Sequence, residues 1–182
     1  MPRRRPERYQ LAFDLGKKTE FEASPTNDIS GLLAGLGSRE GVIGRFVTTV
    51  REEVILRGPA EVGAYLLQHV FTPFEEFEQE ELWVLMLNTK NRLTHESLVY
   101  RGWIDSIPVR LSEVYRPAVR VNARSIILSH CHPSGDPTPS PEDVRVTSEA
   151  LQAGLILGIE LLDHVIVGHN RWISLKERGL GF

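Results

Sequence analysis

The segment SHCHPSGDPTPSPEDV, residues 129–144, concentrates residue types that can bind a metal ion. His130 and His132 lie at the end of the apolar run SIILSH, which predicts a buried β-strand. Side chains two positions apart on a strand project from the same face, so both imidazoles would leave the strand together and Cys131 would point away. Two imidazoles are half of a tetrahedral zinc site, and a catalytic site needs a third protein ligand.

Asp143 is the candidate third ligand, because it is the third helical residue if Ser140 is the N-cap and Pro141 the first helical position. The intervening loop PSGDPTP contains Gly135 and three prolines, which give a stiff path that could return the helix to the strand end. The letters SPED also predict an ordinary capping box, in which Ser140 and Asp143 only begin a helix. Spacing alone leaves the metal site and the cap both open, with Asp136 as an alternative ligand.

The elements around this segment predict an α/β fold with a mixed sheet. Strands are predicted at EEVILRG, LWVLMLN, LTHESLVYRG, SIILSH, IELLDHVIVG and RWISL, with antiparallel pairing across the turns TKNR and HN. Helices are predicted at PAEVGAYLLQHVF, at LSEVYRPAVRVNA with Ser112 as N-cap, and at PEDVRVTSEALQAGLILG. The last helix should end at Gly158 and bury a stripe of Val144, Thr147, Leu151 and Leu155.

Length and composition predict one domain with an appendage. The chain has 182 residues, of which 41% are hydrophobic, and we divide it into an N-terminal extension, partly ordered, at residues 1–53 and a domain at 54–182. The net charge of −3 gives no overall basic field to attract nucleic acid. One cysteine excludes an intramolecular disulfide. With no apolar run of spanning length and no signal-peptide pattern, we expect a soluble, cytoplasmic protein without membrane partners.

The pattern His-X-His, seven residues, then Ser-X-X-Asp resembles the metal motif of the JAB/MPN+ (JAMM) metalloprotease family. The longer string HCHPSGDPTPSPED, followed by GIELLDHVIVG and WISLKERGLGF, resembles the RadC branch of that family. The similarity runs from about LRGP at residue 56 to the C-terminus. It implies a cytidine-deaminase-like α/β/α fold and a Zn²⁺ ion bound by His130, His132 and Asp143.

The resemblance also implies a glutamate as general base and the Ser140 hydroxyl as a stabiliser of the oxyanion. In the RadC pattern the acid precedes by eight residues the Asp or Asn that closes the strand, so Asn88 points to Glu80. Glu81 is the alternative, although one step along a strand would turn it to the opposite face. Asp163 and His164 in LLDHVIVG could suggest a catalytic triad, but their apolar neighbours favour a hydrogen-bonded core histidine.

The function that follows is zinc-dependent hydrolysis of a peptide or isopeptide bond in a peptide or protein substrate. A metal-dependent nuclease or DNA-repair-associated factor of the RadC type is an alternative, with nucleic acid as partner. Its supporting charges are a basic tail and four later arginines: Arg3, Arg4, Arg5, Arg8, Arg110, Arg116, Arg120 and Arg124. The helix-hairpin-helix region that often precedes the RadC domain is not recognisable in residues 1–53, so a DNA-binding role of that region does not carry over to this chain. A non-catalytic interaction module is a third interpretation, and pairing of sheet edges would permit a homo-oligomer.

Overall fold

A six-stranded mixed sheet, in the order β1-β3-β2-β4-β5-β6, positions every candidate site residue. The computed structural model describes residues 47–102 and 109–182. The strands are β1 (Val47–Thr49), β2 (Glu81–Leu87), β3 (Leu93–Arg101), β4 (Ser125–Cys131), β5 (Glu160–Gly168) and β6 (Arg171–Ser174). β4 and β5 pair in parallel, and the other neighbouring strands pair antiparallel.

Helices cover both faces of this sheet. They are α1 (Pro59–Tyr65), which continues as a π-helix at Leu66–Val70, α2 (Leu111–Arg120) and α3 (Pro141–Leu157), and a 3₁₀ turn lies at Phe74–Glu76. One core joins α2 and α3 to β2 and β4 through residues such as Tyr115, Val146 and Leu128. The other joins α1 and the π-helix to the opposite face through residues such as Leu66 and Ile127. The predicted α/β/α fold is therefore confirmed.

The α3 helix begins and ends where the sequence predicts, but it buries a different face. Its N-terminus carries the capping box of Ser140 and Asp143, and it ends at Gly158, whose left-handed φ of 68° closes the last turn. The buried face holds Val146, Thr147, Ala150 and Gly154, whereas Leu155 from the predicted stripe is 72% exposed. A Cβ on Gly154 would lie 2.6 Å from the Tyr115 hydroxyl oxygen, so small residues let this helix approach its neighbours closely.

Two further predicted details are wrong. EEVILRG is not a strand, because its one ladder contact is the isolated bridge of Ile55 with Arg92, and the edge strand that pairs with β3 is Val47–Thr49. Ser112 is not an N-cap, because α2 begins two residues earlier than that cap implies, at Leu111, with Arg110 at the cap position and no side-chain cap. The Arg110 amide instead donates a hydrogen bond of 2.8 Å to the Tyr100 hydroxyl. A tertiary contact thus replaces the local cap.

The remaining predicted elements are observed: the helix after Gly58, the β2–β3 pair, β4, and the β5–β6 hairpin. The basic tail and the rest of residues 1–46 lie outside the described residues, so the division at residue 54 stays a prediction. Within the described ranges, no helix combines the length and apolar character needed to cross a membrane.

Gly63 sets the distance between α1 and β6, because a Cβ there would lie 2.2 Å from the indole Nε1 of Trp172. We expect Gly63→Ala to lower the free energy of unfolding by about 1–3 kcal/mol, since overpacking outweighs the usual gain from replacing a helical glycine. Urea denaturation measures the change. Gly58→Ala is the control, because its Cβ would meet only the Glu61 side chain, at 3.3 Å. A Gly63→Ala protein as stable as wild type would contradict the packing argument.

Candidate metal site

The three predicted ligands converge at the C-terminal end of β4. His130 is 1% exposed, His132 follows the strand directly, and Asp143 lies in the first turn of α3. His130 Nε2 lies 3.0 Å from His132 Nε2 and 3.0 Å from Asp143 Oδ1, and His132 Nε2 lies 3.7 Å from Asp143 Oδ2. One ligand atom from each residue lies within 4.8 Å of the other two, so the group could hold a metal ion.

This donor set fits a tetrahedral ion. Ligands at about 2.0–2.1 Å from such an ion are separated from one another by roughly 3.3–3.4 Å. The closest approaches are 3.0 Å between the two imidazoles, 3.0 Å from His130 to Asp143 Oδ1 and 3.7 Å from His132 to Asp143 Oδ2, so one ion could contact all three side chains. Two imidazoles and one carboxylate are also the kind of ligand set that catalytic zinc sites use.

Asp143 serves as helix cap and candidate ligand at once. Its Oδ2 accepts hydrogen bonds from the Ser140 amide at 2.7 Å and from the Ser140 hydroxyl at 2.8 Å, while its own amide donates to Ser140 Oγ at 3.1 Å. Its Oδ1 remains directed at His130. Burial alone raises the pKa of Asp143, but its contacts with the imidazoles of His130 and His132 bring the pKa well below its usual range. The carboxylate is therefore ionised.

The loop between the strand and the helix is tied to the β5–β6 hairpin. The Gly135 carbonyl accepts hydrogen bonds from the His169 amide at 3.1 Å and from Arg171 Nη2 at 3.2 Å. Gly135 has a φ of +81°, which favours glycine at this turn. The Asp136 carboxylate accepts from the Thr138 amide and hydroxyl, so it organises the loop and lies outside the ligand group.

Further contacts hold the outer nitrogens of both imidazoles. His132 Nδ1 donates to the Asp136 carbonyl oxygen at 2.9 Å. His130 Nδ1 lies 2.9 Å from His164 Nε2, and His164 Nδ1 lies 2.6 Å from the Thr147 hydroxyl oxygen. Burial lowers the pKa of His164 to about 3, so this imidazole is neutral.

His164 is thus the hydrogen-bonded core histidine that the sequence predicts, but its contact with His130 was missed. The Asp163 carboxylate accepts hydrogen bonds from the Ser174 hydroxyl and from two backbone amides, one of them the His164 amide, which gives no triad. A usable signal was present, because parallel strands joined by one helix are usually neighbours. Their register places His164 opposite Leu128, two residues before His130.

The two candidate bases differ in their surroundings. Glu81 is 6% exposed, and its carboxylate accepts hydrogen bonds from Arg101 Nε at 2.7 Å and from Trp83 Nε1 at 2.9 Å. Glu80 precedes β2 by one residue and lies two positions before Leu82, which pairs with His130. The period of the strand assigns Glu80 to the face of His130 and Glu81 to the other face.

The charge of Glu80 also acts on His132. Burial alone lowers the pKa of His132, but contacts with the Asp143 carboxylate and the Asp136 carbonyl, together with the charges of Asp143 and Glu80, raise it above its usual value. Cys131 points to the opposite face, as predicted, into the core beneath α1. Burial raises the pKa of the Cys131 thiol to about 12, so it does not supply a thiolate.

Comparison with known proteins gives one family. Residues 56–180 match a sequence model described as the RadC-like JAB domain. A UPF0758 protein of Chloroflexus aurantiacus is 44% identical over 135 residues, which are 74% of this chain and 57% of that protein. A UPF0758 protein of Chloroflexus aggregans is 39% identical over 171 residues, 93% of this chain and 69% of that protein. For a Listeria monocytogenes UPF0758 protein the identity is 42% over 144 residues, 79% and 60% of the two chains.

Gly168 permits the close approach of β5 to the metal-site loop, because a Cβ there would lie 2.4 Å from the Gly135 carbonyl oxygen. We expect Gly168→Ala to displace this loop, and with it His132, and to weaken zinc binding by at least about 10-fold. Competition with a chromophoric chelator measures the affinity.

Gly158→Ala is the matched control for that prediction. Its φ of +68° makes alanine cost about 1–2 kcal/mol, yet a Cβ there meets nothing within 4 Å and lies at the far end of α3. This variant should lose stability and keep its zinc affinity. Equal affinity losses in the two variants would show that general destabilisation, and not the loop, is responsible.

Proposed function

The chain belongs to the RadC-like JAB domain family, and on that premise we propose that it is a zinc-dependent hydrolase that cleaves peptide or isopeptide bonds. The observation that carries the proposal is the convergence of His130, His132 and Asp143 within 4.8 Å. The curated relatives are named only as UPF0758 proteins, and the chain spans about 57% of the length of the first of them. Activity, substrate and partners are therefore all part of the proposal.

Zinc is the proposed ion because a pair of imidazoles with one carboxylate suits it better than magnesium or calcium, which prefer oxygen ligands. When bound, zinc supplies Lewis acidity and lowers the pKa of coordinated water toward about 7. Three protein ligands leave a position open for water or substrate. The ionised Asp143 provides the single negative charge of the ligand set.

Glu80 is the proposed general base. Its carboxylate would take a proton from the attacking water and return it to the leaving amine nitrogen. One observation favours it over Glu81: the period of the strand puts it on the face of His130. Glu81 is engaged with Arg101 and Trp83 on the other face.

Ser140 is proposed to stabilise the oxyanion of the reaction, and the structure sets a condition on that role. Its hydroxyl proton is donated to Asp143 Oδ2. To donate to a substrate oxygen, the hydroxyl must rotate away from the carboxylate. The Ser140 amide at 2.7 Å would still hold Asp143 Oδ2 during that rotation, so the ligand keeps its position.

The nuclease alternative has less support from the described residues. Arg116 forms an ion pair with Glu113, and Arg124 Nη2 lies 3.7 Å from Glu160 Oε2, so two of the four later arginines are paired with carboxylates. The basic tail lies outside the described residues. Retention of the whole ligand group disfavours the non-catalytic module. We propose a peptide or protein as substrate and the cytoplasm as location.

Metal content tests the first part of the proposal. Purified wild-type protein should contain about one zinc ion per chain, and the double variant His130→Ala/His132→Ala should contain none, because one ligand cannot hold the ion. Native mass spectrometry and elemental analysis give the stoichiometry. His69→Ala is the control, because His69 is exposed on the π-helix and stacks only on Tyr65. The same low zinc content in wild type and double variant, even after zinc is added, would contradict the proposal.

The general base is tested by Glu80→Gln against Glu81→Gln. The first variant should keep its zinc and lose about 10²–10⁴-fold in kcat on a library of internally quenched peptides and isopeptide-linked dipeptides, because the proton acceptor is gone. The second should lose the ion pair with Arg101 and keep most of its activity. An inverted ranking would assign the base to Glu81. Cleavage of single- or double-stranded DNA that chelator abolishes, with no peptide cleaved, would favour the nuclease.

A further inference from the structure

We propose that Thr147 and His164 are positioning residues that hold the proton of His130 on Nδ1 and so keep Nε2 available for the metal. The inference rests on the metal-binding part of the proposed function and not on hydrolysis. It follows from the direction in which a buried chain of hydrogen bonds must run, beginning at the helix α3 and ending at the ligand atom.

The direction is set at Thr147, which is fully buried. Its Oγ1 lies 2.6 Å from the Asp143 carbonyl oxygen, and a carbonyl can only accept, so the single hydroxyl proton lies between these two oxygens. The reverse arrangement would leave two oxygens in contact at this distance without a proton, which is repulsive. Thr147 Oγ1 can therefore only accept from His164 Nδ1, which lies 2.6 Å away.

The same direction of hydrogen-bond donation continues through His164 to His130. His164 is 1% exposed and its ring contacts a hydroxyl and another imidazole, neither of them anionic, so it stays neutral. A neutral imidazole with its proton on Nδ1 presents a lone pair on Nε2. That lone pair accepts the Nδ1 proton of His130 at 2.9 Å, which leaves the His130 lone pair on Nε2.

His132 reaches the same state by a separate route. Its Nδ1 donates to the Asp136 carbonyl, so its Nε2 also carries a lone pair. The two lone pairs face each other at 3.0 Å, beside the Asp143 carboxylate. Such an arrangement is repulsive unless a cation, a proton in the metal-free protein or a metal ion in its place, lies between the groups, so the two outer hydrogen bonds together prepare a cation receptor.

The arrangement that Thr147 opposes has a definite chemistry. If His130 carried its proton on Nε2, that proton would be donated to Asp143 Oδ1 at 3.0 Å and would occupy the direction that the metal needs. His130 Nδ1 and His164 Nε2 would then face each other without a proton between them. His164 could supply that proton only by carrying it on Nε2 and not on Nδ1. A reversed His164 would have an unprotonated Nδ1 facing the lone pairs of Thr147 Oγ1. The buried hydroxyl therefore penalises the whole reversed chain.

Zinc affinity of three variants tests the role of the hydroxyl. Thr147→Val keeps the shape of the side chain and removes the hydroxyl, and we expect about 10–100-fold weaker zinc binding in chelator competition. Thr147→Ser keeps the hydroxyl, and its zinc affinity should stay within about 10-fold of the wild-type value. Ser129→Ala is the matched control, because it removes a buried hydroxyl that donates to the Val165 carbonyl on the next strand, outside this chain of bonds. Thermal unfolding in excess chelator separates lost affinity from lost stability.

The tautomers themselves can be read in the wild-type protein, which makes the test independent of whether any variant folds. Long-range ¹H–¹⁵N spectra of the metal-free protein at about pH 8, where ordinary imidazoles are neutral, should show His130 and His164 protonated on Nδ1. A His130 or His164 ring that carries no proton on Nδ1 would overturn the inference, as would a folded Thr147→Val protein with wild-type zinc affinity. Neither measurement uses catalysis, so a failed peptidase assay would refute the proposed hydrolysis and leave this inference standing.

Discussion

The contact of the Asp143 carboxylate with the imidazole of His130 is the constraint on which the site depends. A buried carboxylate is stable only when its charge is compensated, and here two imidazoles and the first turn of α3 provide that compensation. The contact also fixes the helix at the end of β4, because Asp143 is at once a cap of the helix and a neighbour of the strand. Moving the helix relative to the strand would break the contact of Asp143 with His130 or the cap of the helix.

The β4–α3–β5 unit supplies this constraint in consecutive steps. β4 presents His130, the loop turns back through Gly135, α3 begins at Pro141 with the acid in its first turn, and β5 returns in parallel to place His164 behind the ligand. Gly168 and Gly135 pack against each other where the strand passes the loop. The same hydrogen bonds that complete the secondary structure therefore also orient the metal-binding atoms.

Much of this was predictable from local rules. The period of a strand placed His130 and His132 on one face and Cys131 on the other, and the capping pattern placed Asp143 in the first turn of a helix. Neither rule could say which strand lies beside β4, so the contact of His164 with His130 was missed. That information is tertiary, because it depends on the parallel pairing of two strands separated by a helix.

The other errors have the same origin. α3 turns its small residues to the core, because Gly154 allows close approach to Tyr115, and a count of apolar side chains gives such residues little weight. α2 starts at Leu111 because the Arg110 amide finds Tyr100, a residue of the neighbouring strand, and no local cap is required. Sequence rules described the ends of elements well where the partner was local, and poorly where it was distant.

The parallel crossover has a thermodynamic consequence. All three candidate ligands and His164 belong to one contiguous stretch, from His130 to His164, so binding of a metal ion there would be linked to the docking of β5 on β4. A ligand that binds only the docked form stabilises it by RT ln(1 + [L]/Kd), or about 2.7 kcal/mol when the free ion is at 100 times its Kd. With a metal ion in the proposed site, the free concentration of that ion would therefore contribute to the stability of this half of the sheet. Glu80, the proposed base, lies one residue before the antiparallel β2 and outside that stretch, so metal retention and the proposed proton transfer could change independently as the sequence varies.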